Sequence, residues 1–71
     1  MNITTKEVHR TPPEHVKLAG DRVLHVLDVE GLEVRVIVTA KGLGFSMEVN
    51  TVDPVVASAV MGHVALNPMA N

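Results

Sequence analysis

Four histidines are the residues of this chain best suited to chemistry: His9, His15, His25 and His63. Imidazole binds zinc or moves protons near neutral pH. A zinc site needs three or four ligands from a histidine, carboxylate or thiolate set. There is no cysteine, and no pair of histidines shows a local metal spacing within one element. His9 and His15 fall in different predicted elements. His25 and His63 are the pair that can converge, one on a sheet face and one on a covering helix. On a helical wheel His63 sits amid Val56, Ala59 and Val60. The bland reading is two partly buried, neutral, hydrogen-bonded histidines; the sharper one is a polar pair that binds or senses protons.

Other chemistry is poorly supplied. Ser46 and Ser58 lie in no nucleophile motif, neither G-x-S-x-G nor S-x-x-K. Asp21, Asp28, Glu30 and Glu33 flank an exposed turn, where a solvated acidic rim is expected rather than an acid–base pair in a dry pocket. Gly42-Leu43-Gly44 precedes a strand, so it is turn material and not a phosphate loop. The expectation is a chain that is not an enzyme, with no cofactor and no metal.

Charge points away from nucleic acid. The formal net charge is −2, from six Lys and Arg against eight Asp and Glu, with no basic run. Phosphate binding relies on clustered cations. A DNA-reading alternative requires Arg22, Arg35 and Lys41 to converge on one surface of a sheet.

The elements that position these residues follow from size and periodicity. Seventy-one residues make one small domain. A chain this short buries only about 60% of its unfolded surface, so disulfides, metals or oligomerisation commonly assist. Disulfides are excluded, and the lack of cysteine fits a cytoplasmic home. Composition is 46% hydrophobic with one aromatic, Phe45, so the core must be Val, Leu, Ile, Ala and Met. The polar N-terminus lacks the apolar stretch of a signal peptide.

Residues 2–10 alternate weakly and read as an edge strand or a loose arm. Thr11-Pro-Pro-Glu14 matches a capping box, so a short helix over 12–19 competes with an extended connector. Strands are expected over 22–29, 32–40 and 43–51, with turns at Glu30-Gly31 and Lys41-Gly42. Two-residue loops place Val29 opposite Leu32, Leu27 opposite Val34 and His25 opposite Val36. They also place Val38 opposite Phe45, Val36 opposite Met47 and Val34 opposite Val49. Both hairpins then put their apolar sets on one face. Glu is a poor first residue of a type I′ turn, which leaves a three-residue loop at Gly31 open.

The last segment carries no Asp, Glu, Lys or Arg from Pro54 onward. Asp53-Pro54 starts a helix and Asn67-Pro68 stops it. Its apolar run of about 13 residues is shorter than the roughly 20 of a membrane span. A short uncharged helix needs cover on more than one side. Ser58-x-x-x-Gly62, with Ala57, Met61 and Ala65 nearby, reads either as a seam where two helices approach closely or as a plain small-residue face half exposed to water. Leu24, Val26 and Ile37 form a second apolar cluster on the back of the sheet, to be covered by Val16 and Leu18 or by a second subunit.

The fold expected is α+β: a three-stranded antiparallel meander with a C-terminal helix on one face, preceded by a short helix or arm. The function expected is a non-enzymatic interaction module, homodimeric or bound to a protein partner. By analogy it serves as a phage or mobile-element accessory protein that inhibits a host protein. A nucleic-acid module and a subunit of a larger assembly are the alternatives.

Overall fold

The computed structural model describes residues 1–11 and 21–69. The capping-box segment expected to form a helix over 12–19 lies outside the described residues. An antiparallel sheet of four strands runs in the order β1 (Ile3–Thr11), β2 (Arg22–Val29), β3 (Leu32–Lys41), β4 (Gly44–Val49), followed by α1 (Pro54–Ala65). The α+β architecture is as expected, but the strand count is four rather than three. The weakly alternating N-terminal segment is an edge strand paired with β2.

Its weak alternation has a local cause. The β1–β2 register shifts between Thr5 and Glu7. Lys6 is the extra residue of a bulge, and a bulge exchanges the faces of everything beyond it. Ile3 and Thr5 face the helix before the bulge, and Val8 and Arg10 face it after. No single period of two survives in the sequence.

The β2–β3 hairpin has the two-residue register expected, Val29 to Leu32 through Arg22 to Thr39. Its turn is tight although Glu30 is poorly suited to it. Glu30 takes φ 50° and Gly31 takes φ 91°. Positive φ at both central residues defines a type I′ turn. Glu30 therefore carries a left-handed penalty of about 1 kcal/mol. Glu30→Asn should remove much of it, since Asn tolerates that region and keeps the backbone N–H that donates to the Asn2 carbonyl oxygen. The expected gain is about 1 kcal/mol, or a rise in Tm of roughly 4–8 °C by thermal circular dichroism. An unchanged or lower Tm would show that the strain is absent.

The β3–β4 register corrects the sequence reading. Val38 pairs with Met47, Val36 with Val49 and Ala40 with Phe45, two residues along from the expected pairs. The loop is Gly42-Leu43, not Lys41-Gly42. Gly42 has φ 55° while Leu43 is not left-handed. Positive φ at the first central position alone is the signature of a type II′ turn, which wants Gly there. A slide of two residues keeps parity, so the apolar set stays on the same face.

That face holds the core. Leu27, Val29, Val34, Val36 and Val38 pack against Val60 and Val64 of α1, with Met47, Val49, Val56 and Met69 at the rim. The core is almost wholly valine because β-branched side chains suit the pleated face of strands. α1 begins as expected: the Asp53 carboxylate accepts from the backbone N–H of Val55 at 2.9 Å and of Val56 at 3.3 Å, with Pro54 in the first turn. Among the described residues, no helix is long and apolar enough to cross a membrane.

Candidate functional site

His25 and His63, the pair expected to be able to converge, lie near one another on β2 and α1. Both line a cavity of about 170 Å3, with Thr5, Val8, Val64 and Asn67. His25 lies on the core face of β2, buried to 4% exposure. Its Nε2 is 2.8 Å from the carbonyl oxygen of Pro68. A carbonyl oxygen only accepts, so that nitrogen carries the proton and donates. His63, in the last turn of α1, places Nε2 3.2 Å from Thr5 Oγ1. The Arg10 guanidinium donates to the Met69 carbonyl oxygen at 2.9 Å. Three side-chain hydrogen bonds thus tie the end of α1 and the residues after it to β1 and β2.

The chemistry available there is limited. A hydroxyl beside an imidazole resembles the start of a nucleophile–base pair. That pairing needs a third group to orient the base, and no carboxylate of the described residues lines this cavity. No group of three metal-ligating His, Cys, Asp or Glu side chains occurs among the described residues. The arrangement works as a strap that closes the apolar core. His9 stands apart on the surface, 3.3 Å from Glu7 Oε2. His15 lies outside the described residues.

The back face carries the other candidates. Leu24, Arg35, Ile37 and Glu48 line an open groove of about 340 Å3 with Val49 and Asn50. Val26 points to this face yet is only 4% exposed, so it adds nothing to an open apolar patch. Leu24 is half-buried and Ile37 exposed. Strand parity puts Arg22, Arg35 and Lys41 on this face together. They share it with Glu7, Asp28, Glu33 and Glu48, which offset them and Lys6 one for one. Glu33 binds Arg35 at 3.1 Å and Lys6 at 3.5 Å. These pairs are half exposed and worth little stability, but they leave the face without the cation excess that phosphates need.

On α1, Ser58, Met61, Gly62 and Ala65 are exposed, while Ala57 is half-buried. Val55 (66% exposed) and Leu66, just beyond the helix, extend this outer face, and the sequence reading had passed both over. A helix apolar all round does not announce which side meets its sheet.

A sheet edge is the third candidate surface for a partner. β4 is an edge strand. Asn50 N–H donates to the Arg35 carbonyl oxygen, which makes Arg35 and Asn50 a hydrogen-bonded pair. Such pairs alternate along an antiparallel ladder. Glu48, Ser46 and Gly44 therefore turn their backbone groups to β3, and Phe45, Met47 and Val49 turn theirs outward. The absence of charge and proline from most of this strand was the signal available in the sequence.

No family model, curated protein or solved structure matches the chain.

Proposed function

We propose that this chain is a small protein-interaction module without catalytic chemistry, working as a homodimer that presents apolar surface to a protein partner. The observation that carries this reading is the outer face of α1. From Val55 to Leu66 it exposes large apolar and small residues with no charged side chain among them. Scattered exposed apolar residues are ordinary on a monomer, whereas a contiguous uncharged face marks an interaction surface. Exposed Leu43 and Phe45 at the β3–β4 end, and Ile37 on the back, add to the apolar surface of so short a chain.

Sedimentation equilibrium tests the first step. Across tens to hundreds of micromolar, the mass is expected to rise from that of one 7.6 kDa chain towards twice that value. A single 7.6 kDa species throughout this range would contradict self-association.

A further inference from the structure

We infer that the edge of β4, unpaired among the described residues, is a self-complementary seam, where two copies pair antiparallel about a two-fold axis at Met47 to make one continuous sheet. This rests on the self-association proposed above and names where it occurs.

The two edges of the sheet differ. β1 is guarded: the bulge at Lys6 breaks its outward ladder, Lys6 and Glu7 add charge, and Arg10 is engaged by the Met69 carbonyl oxygen. Bulges and charges are the usual means of blocking an edge. β4 has no bulge, no proline and one charged residue, Glu48. Its outward N–H and C=O groups belong to Phe45, Met47 and Val49, the residues whose side chains share the helix-covered face. Phe45, the chain's one phenylalanine, is nonetheless 49% exposed.

Register selects a second copy as the occupant. With Met47 opposite Met47 of the second copy, Phe45 meets Val49 and Val49 meets Phe45. All three outward residues are then matched, giving about six hydrogen bonds across the axis. On the helix face each Phe45 ring gains an aliphatic neighbour, and aromatic–β-branched cross-strand pairs are favourable. On the back face Ser46 lies opposite Glu48 of the second copy, so a hydroxyl can donate to each carboxylate. Sliding one way by a residue per strand sets Glu48 against Glu48 at the axis, a like-charge pair. Sliding the other way sets Val49 against Leu43, in the turn. The axis at Met47 alone avoids both.

Two sets of variants test the seam by sedimentation equilibrium, with far-UV circular dichroism confirming the fold. The chain is short enough for chemical synthesis, so Met47 can be replaced by N-methyl-methionine. Its amide faces away from β3, so the internal ladder is untouched while the axis is blocked. The dimer should be lost across the concentration range. Ser46 is exposed, so its replacement does not endanger the core. Ser46→Lys places a cation opposite each Glu48 and should tighten the dimer, whereas Ser46→Glu should weaken it, each by about 2- to 30-fold. A wild-type chain monomeric throughout would sink self-association itself and the seam with it. A dimer that survives N-methylation, or that ignores the sign of the charge at position 46, would overturn the seam while leaving self-association standing.

Discussion

Val60→Asp should not fold at 25 °C. Val60 is fully buried between α1 and the sheet, among valines and Leu27. The substitution removes a side chain whose burial is worth roughly 1.5–3 kcal/mol. It also places a carboxylate where no described cation or donor reaches. An unpaired buried polar group costs several kcal/mol more, and a charge costs more still. A core this small supplies only about 3–5 kcal/mol in total, so the loss exceeds the reserve. Far-UV circular dichroism is the appropriate readout, because the chain has no tryptophan or tyrosine to report by fluorescence. Val60→Ala should remain folded with a loss of about 2 kcal/mol. A native spectrum for Val60→Asp would mean that another side of α1 lies on the sheet.

His25→Ala is the second large effect, expected to cost about 2–4 kcal/mol through an emptied ring site and an orphaned carbonyl at Pro68. Urea denaturation measures the total. His25→Phe separates the two contributions: it restores volume but cannot donate to Pro68, so it should recover only part of the loss. The strap also has a local signature. The Asn67 amide, which donates to the Val64 carbonyl oxygen, should exchange with solvent faster in both variants. Unchanged exchange would mean that His25 packs in the core without holding the C-terminal segment.

The parts of this fold legible in the chain are those governed by parity and local punctuation. Val and Leu alternate cleanly through β2 and β3, and that alternation survived the poor turn residue Glu30, whose cost is small beside the face it preserves. Asp53-Pro54 announced α1 because capping is a local contact. His25 and His63 could be brought to one layer because each sits on an apolar face of its own element. Other features depended on chirality or on distant partners. Parity cannot distinguish Lys41-Gly42 from Gly42-Leu43, and the choice falls to the left-handed residue that a type II′ turn requires first. The bulge at Lys6 erased the period by which β1 would have been counted. The bond from His25 to Pro68 spans most of the chain, and no local pattern encodes it. Val26 lies on the back face that parity gives it, and it is buried there.

The edge of β4 is where the proposed association meets the fold. Its geometry admits a direct test by isotope-filtered NMR on a mixed sample of labelled and unlabelled chains. In the two-fold pairing, Ser46 and Glu48 of the second copy form a non-hydrogen-bonded pair, the closer of the two antiparallel spacings. Their Hα protons should give a strong intermolecular cross-peak, while within one strand these protons are too far apart to do so. That cross-peak is the result expected. Intermolecular cross-peaks confined to the methyl groups of Val55, Met61 and Leu66 would move the seam to α1. None at all at millimolar concentration would contradict association.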